Sequence, residues 1–148
     1  MNALAVAVSR ERVRPPISDD RVADAVRVTL RAEKVRHALI SVTFVTGSKI
    51  AALNVKHLGH RGPTDVISFG FARGRGHPVV ADIYIAPAVA RVNARRHGAG
   101  IREELVRLVV HGVLHALGYD HPNGDARLGS PMWRRQETLV RRVMRTAA

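Results

Sequence analysis

Apolar and polar residues alternate in four short stretches of the chain, as expected of strands that bury one face. The clearest stretch spans residues 39–46, where Ile40, Val42 and Phe44 alternate with polar or smaller side chains. In another, Val66, Ser68 and Gly70 share one face and Ile67, Phe69 and Phe71 the other. The pattern predicts strands at residues 3–8, 39–46, 65–71 and 79–86.

Elsewhere the apolar residues recur every three or four positions, as on the buried side of an amphipathic helix. Ser18 is a suitable N-cap for a first helix of about twenty residues. Pro87 suits the first turn of a later helix, and Gly98 its end. The remaining helices are predicted at residues 48–57, 101–117 and from 131 onward.

Four strands mixed with about five helices predict an α+β fold, with a small four-stranded mixed sheet packed against helices. The length of 148 residues and the 46% hydrophobic content suit one domain, residues 1–148. The apolar residues 1–8 follow no basic segment and are too few to cross a bilayer. We therefore expect a soluble cytoplasmic protein with no membrane partner.

Three histidines lie within eleven residues at the predicted end of a helix. His111 and His115 are four residues apart, so their rings project from one helix face. Gly118 can end that helix sharply, which would let His121 return to the same place. The chain has no cysteine, and three imidazoles with an open fourth position are typical of catalytic zinc, while nickel, copper and iron also accept imidazole ligands. Ordinary polar side chains at a helix end are the alternative explanation.

The spacing of these histidines is also that of metzincin metalloproteases, and Met132 resembles the methionine of their turn. Those enzymes place a glutamate, their general base, directly after the first histidine, where this chain has Gly112. Loss of a general base costs about two to four powers of ten in rate. A protease of this kind would therefore lack its proton acceptor.

The charge balance favours a polyanionic partner. The chain has 24 Lys and Arg against 12 Asp and Glu, a net charge of +12. Such a surplus favours nucleic acid first and an anionic membrane second. Because only three of these cations are lysines, the composition of a GC-rich genome is the alternative explanation.

The segment 111–121, HGVLHALGYDH, resembles the signature of the YbeY family of bacterial endoribonucleases, the ribosomal RNA maturation factors. Residues 63–69, PTDVISF, resemble the second motif of that family, and residues 82–85 its third. Met132 and Glu137 also fall where the family tends to have these residues. The resemblance covers about residues 50–137 in order.

The resemblance implies a single-strand-specific, metal-dependent endoribonuclease. Such proteins mature ribosomal RNA, chiefly at the 3′ end of the small-subunit RNA, and act in ribosome quality control. It further implies one zinc ion on His111, His115 and His121. The implied partners are single-stranded and ribosomal RNA, the small ribosomal subunit and assembly factors.

The chain departs from the family pattern at Leu58, where the family usually has an arginine thought to face the phosphate. Arg61, on the same loop, is the candidate to replace that cation, and a solvated loop arginine is the alternative. Asp65 is a candidate general base by position, as is Asp120, for which we expect a role in orienting a ligand histidine. Tyr119 and Phe69 are candidates to stack a base, or else residues of the core or the cleft wall.

A ribosome-associated binding factor with a mainly structural zinc is a further alternative. Net charge does not separate such a protein from an enzyme, because both would bind RNA through their cations.

Overall fold

A four-stranded sheet and five α-helices make up most of the structure, a computed structural model that describes residues 3–58, 64–71, 77–121 and 124–146. Strands β1 to β4 are Ala3–Arg10, His37–Phe44, Val66–Phe71 and Val79–Ile85. Helices α1 to α5 are Asp19–Ala32, Gly47–Leu53, Pro87–Arg96, Ile101–Ala116 and Pro131–Thr146. A π-helical turn, Asn54–Leu58, continues α2, and a 3-10 turn, Gly124–Arg127, precedes α5.

The strands are ordered β1-β2-β4-β3 across the sheet. β1, β2 and β4 are parallel, and β3 runs antiparallel to β4 at one edge. Parallel neighbours need a crossover connection, which α1 provides between β1 and β2. The mixed sheet with its five helices confirms the α+β fold predicted from the sequence.

The first helix starts as predicted and ends earlier. The Ser18 side chain accepts a hydrogen bond from the Arg21 amide at 3.1 Å, which caps α1. The helix has 14 residues, so the predicted length of about twenty was wrong. The chain turns at Lys34, which has a φ of 60°, before β2 begins. Because residues 33–36 contain neither Gly nor Pro, the sequence carries no stop signal there.

The main core lies between one face of the sheet and helices α1, α4 and α5. Ile40, Val42 and Phe44 are fully buried on that face, as their alternation predicted. α4 is buried along nearly its whole length, from Glu104 to Leu114. Each buried Val, Leu, Ile or Phe side chain stabilises the fold by about 1.5–3 kcal/mol. The end of α4 is therefore a rigid support for the histidines it carries.

The opposite face of the sheet holds a smaller apolar cluster beside α2. Ile50 and Ile67 are buried there, and the ring of Phe69 packs edge-on against Tyr84 with centroids 6.1 Å apart. Phe69 thus belongs to the packing of this face. None of the helices in the described part of the chain combines the length and the apolar character needed to cross a membrane.

Candidate metal centre

The structure brings three histidines together at the end of α4. His111 and His115 lie one turn apart with ring centroids separated by 4.6 Å. Gly118 follows the helix with a φ of +102°, and its amide donates to the His115 carbonyl at 3.0 Å, as in a Schellman motif. This reversal returns His121 to within 5.2 and 5.0 Å of the other two rings, measured between centroids. The turn predicted at Gly118 is confirmed.

The three imidazoles can hold a metal ion. Each offers one ring nitrogen, and these nitrogens lie within 4.8 Å of one another. Zn–N bonds of about 2.0–2.1 Å would place ligand nitrogens about 3.4 Å apart, a distance that small ring movements reach. Burial lowers the pKa of His111 to about 4, and burial with the nearby His121 lowers the pKa of His115. Both rings are therefore neutral at pH 7, the form that binds metals.

A buried glutamine on α5 fixes the first ring. Gln136 is 2% exposed, and its Oε1 lies 2.7 Å from His111 Nδ1. Because an amide oxygen only accepts, this contact places the His111 proton on Nδ1 and leaves the Nε2 lone pair for a metal. Gln136 Nε2 in turn donates to the Glu137 carboxylate at 3.0 Å.

An ion-pair network continues from Glu137 beneath the site. Arg107 on α4 donates to the two Glu137 oxygens at 2.8 and 2.9 Å and to Glu104 at 3.0 Å. Burial would raise the pKa of Glu137, but hydrogen bonds from Arg107 and Gln136 outweigh it and hold that pKa below its usual value. The network joins α4 to α5 and so fixes Gln136 against His111.

The histidines line an open pocket of about 370 Å³ together with residues 64–68, at the start of β3. In this pocket the Asp65 carboxylate accepts a hydrogen bond from Asn93 of α3 at 3.0 Å. Ser68 donates to the Gly112 carbonyl at 2.8 Å and so ties β3 to α4. The pocket lining therefore includes Asp65, whose carboxylate is oriented by Asn93, and three imidazoles.

Two glycines set the spacing of the elements around this pocket. A Cβ at Gly70 would lie 3.0 Å from backbone atoms of Ala116, so β3 approaches α4 more closely than a side chain would allow. A Cβ at Gly112 would lie 2.8 Å from the Ile83 side chain in the main core. The position at which metzincins carry their glutamate thus points at Ile83. A carboxylate there would meet the core.

The other residues singled out in the sequence have more varied places. Arg61 lies outside the described residues. Asp120 accepts a hydrogen bond from the backbone amide of His121 at 2.8 Å, so it orients the main chain beside that ring. The Tyr119 hydroxyl donates to Glu33 at 2.7 Å, which raises the pKa of the tyrosine and ties the loop to the end of α1. Tyr119 thus anchors the loop that carries His121.

Met132 is 1% exposed and packs in the main core, outside the pocket lining. His37, His77 and His97 are all exposed.

Two residues at the site were missed by the sequence reasoning. Arg127, in the 3-10 turn after His121, lines the same pocket, and its charge contributes to the low pKa of His111 after the larger effect of burial. Gln136 interrupts the apolar stripe Met132, Leu139, Val140 and Val143 of α5. A polar residue within a buried apolar stripe requires a hydrogen-bond partner, and this requirement was the feature of the sequence that could have identified Gln136. Nothing in the local sequence indicates the place of Arg127.

The sequence matches the family described as Endoribonuclease YbeY over residues 8–144. It is 30% identical to an endoribonuclease YbeY of Syntrophus aciditrophicus over 141 residues, which cover 93% of this chain and 88% of that protein. An endoribonuclease YbeY of Thermobifida fusca is 37% identical over 119 residues, covering 74% of this chain and 77% of the relative. The solution structure of TM1509 from Thermotoga maritima is similar, with a TM-score of 0.62, 25% identity, and coverage of 95% of this chain and 90% of that one.

Proposed function

The chain belongs to the YbeY family, and from this premise we propose that it is a single-strand-specific, zinc-dependent endoribonuclease. Its substrate is ribosomal RNA, at the 3′ end of the small-subunit RNA, and it serves ribosome quality control in the cytoplasm. The small ribosomal subunit and assembly factors are its partners. Residues 1–148 act as one domain.

One observation carries this proposal. The three histidines share their pocket with the Asp65 carboxylate and with Arg127, both of which reach it from other elements. A phosphodiester needs a cation for its oxygens and a group that handles protons, and the pocket offers both. It is also open to solvent on a strongly basic protein, as an extended polyanion requires.

His111, His115 and His121 would hold one zinc ion, and three imidazole nitrogens fit this metal. When bound, zinc lowers the pKa of a coordinated water and polarises a phosphate oxygen. Arg127 binds the phosphate and stabilises the negative charge that grows on it. We propose Arg61 for the same role, in place of the cation missing at Leu58.

Asp65 takes up the proton of the attacking group at its carboxylate. Its hydrogen bond from Asn93 orients this carboxylate in the pocket, which a general base requires. Gln136 keeps the proton of His111 on Nδ1, and Ser68 holds the first strand residues of β3 against α4. Each residue therefore acts from a position fixed by a second element.

The test is cleavage of a labelled single-stranded RNA by purified protein, before chelation, after it, and after return of zinc. The same sequence as a duplex and an unstructured protein serve as comparison substrates. We expect cleavage of the single strand alone, lost on chelation and restored by zinc. RNA cleavage that chelation leaves unchanged would contradict the proposal, tight binding without cleavage would favour the binding factor, and chelation-sensitive proteolysis would favour a protease.

Asp65→Asn is expected to lower the rate of RNA cleavage by about two powers of ten, because the amide cannot accept the proton. The amide oxygen can still accept from Asn93, so the fold should be retained. The matched control is Asp24→Asn, which keeps an acceptor for the Thr146 hydroxyl and lies outside the pocket lining. Equal rates for the two variants would remove Asp65 from the mechanism.

Gln136→Met is expected to weaken zinc binding by about 10- to 100-fold, because His111 loses the partner that fixes its proton and its orientation. Competition with a chromophoric chelator measures the affinity. Arg142→Met, at an exposed position of the same helix, is the control. Unchanged zinc affinity in a folded Gln136→Met protein would show that the contact has no role in metal binding.

A further inference from the structure

A second groove, of about 460 Å³, adjoins the metal pocket. Its lining includes Trp133, Leu128, Gly98 and Ala99, which offer an aromatic ring, an aliphatic side chain and open backbone. Arg127 lines both this groove and the metal pocket. Trp133 and Arg127 also line a small depression between them, together with His111 and Asp65. The metal pocket, the depression and the groove thus form one continuous surface.

We propose that this groove is a nucleobase subsite, in which a base of single-stranded RNA next to the cleaved phosphate stacks on Trp133. The inference rests on the proposed function and specifies where the strand lies. Arg127, at the junction of the two hollows, contacts the phosphate that links the stacked nucleotide to the one at the metal pocket. The RNA strand therefore crosses from the histidines over Arg127 to the indole of Trp133.

The charges of the groove favour a base over a second phosphate. Glu103 and Glu104 line the groove, and a phosphate beside these carboxylates would be repelled. Arg107 pairs with both glutamates, at 3.5 and 3.0 Å, so its own charge is largely compensated there. A base presents an uncharged π-face to the ring and amino groups that can donate to a carboxylate. Leu128, 58% exposed, adds apolar surface for the base to cover.

The backbone that carries the indole is held in place. Trp133 is half-buried in the first turn of α5, where its amide donates to the Ser130 hydroxyl at 3.2 Å. Pro131 begins the helix two residues before Trp133, at a position that proline favours. The capped helix start fixes the backbone that carries the indole, so only the side-chain torsions of Trp133 remain to be ordered when a base stacks on it.

Trp133 is the only tryptophan of the chain, so intrinsic indole fluorescence reports this groove alone. The experiment titrates zinc-loaded protein with a short single-stranded RNA made non-cleavable by methylene groups in place of both bridging oxygens of its central phosphates, since a P–C bond resists attack by water and by a 2′-hydroxyl alike. Binding is followed in parallel by the anisotropy of a label on the RNA. We expect quenching of Trp133 at the same midpoint as the anisotropy change. An oligomer abasic at the central positions should bind through its phosphates without quenching.

Trp133→Ala is expected to weaken binding by about 10- to 100-fold, and Trp133→Phe by only a few-fold, because the smaller ring still stacks. Leu39→Ala, which trims a side chain 54% exposed on β2, is the control for loss of exposed apolar surface. Thermal unfolding verifies that each variant is folded.

Unchanged fluorescence on saturation, with Trp133→Phe and Trp133→Ala both binding like the unsubstituted protein, would overturn the subsite. Quenching by an unstructured peptide but not by RNA would also overturn it. The proposed endoribonuclease activity fails on a separate result, the absence of zinc-dependent cleavage, which the non-cleavable RNA does not measure.

Discussion

Replacing His115 with alanine is expected to abolish tight zinc binding and to lower the rate of RNA cleavage by at least about three powers of ten. The variant leaves two nitrogens where the chain offers three. The lost interaction acts on the charge that develops in the reaction, so kcat should fall far more than KM rises. RNA binding should persist, because the cations that attract the strand are unchanged.

Three measurements on the same protein preparation check this expectation. Zinc content is determined after dialysis, cleavage is measured under single-turnover conditions, and the melting temperature is recorded with and without zinc. Zinc should raise the melting temperature of the unsubstituted protein by mass action and leave that of the variant nearly unchanged. His37→Ala, an exposed histidine at the start of β2, should behave like the unsubstituted protein in all three.

Cleavage that survives His115→Ala, with zinc no longer bound, would exclude the metal mechanism. Loss of cleavage together with loss of the folded state would not count as support. The side chain of His115 is half-buried at the end of α4, so its truncation leaves the main core intact. His115→Gln, which keeps the polar character without the ring nitrogens, provides an independent version of the test.

The elements were predictable where local pattern and local stop signals agree. Ile40, Val42 and Phe44 alternate, and all three are buried on one face of β2. Gly118 ends α4 because the chain turns there through a residue in the left-handed backbone conformation, which glycine adopts readily. α1 was predicted too long because Lys34 takes up that conformation without being glycine. The strand order and the antiparallel direction of β3 depend on contacts between distant segments, and no spacing in the sequence expresses them.

The candidate ligands were predictable for a related reason. His111 and His115 are neighbours by helix geometry, and His121 follows six residues after His115, beyond the helix stop at Gly118. Gln136 is 25 residues from His111 and meets it only because α5 packs on α4. Arg127 reaches the pocket through a turn whose path is set by the packing of its neighbours. Sequence spacing gives the histidine cluster but not the groups that orient it.

Gly112 shows how the structure changes the comparison with metzincin proteases. From the sequence, glycine at this position was only the absence of a base. In the structure, a Cβ at Gly112 would lie 2.8 Å from Cγ2 of Ile83, which is fully buried and stiff at χ1. The position belongs to the contact between α4 and β4. A glutamate could not reach the pocket from there without displacing the core.

Gly112→Glu is therefore expected to lower the free energy of unfolding by more than about 4 kcal/mol and to confer no proteolysis, because it forces a carboxylate into an apolar contact. Gly112→Ala should cost about 1–3 kcal/mol through overpacking, although alanine favours a helix. Urea unfolding followed by circular dichroism measures both values. Gly47→Ala is the matched control, since a Cβ there meets nothing within 4 Å.

Ile83→Ala makes the test specific to this one contact. Alone it should cost about 2–5 kcal/mol, because it leaves a cavity. The double variant, Ile83→Ala with Gly112→Ala, should lose at least about 1 kcal/mol less unfolding free energy than the sum of the two single losses. The new methyl group then enters the space that Ile83 leaves. Strict additivity would mean that the strain of Gly112→Ala arises elsewhere. A stable Gly112→Glu protein that hydrolyses peptides would reopen the protease alternative, because the carboxylate would then have reached the metal pocket.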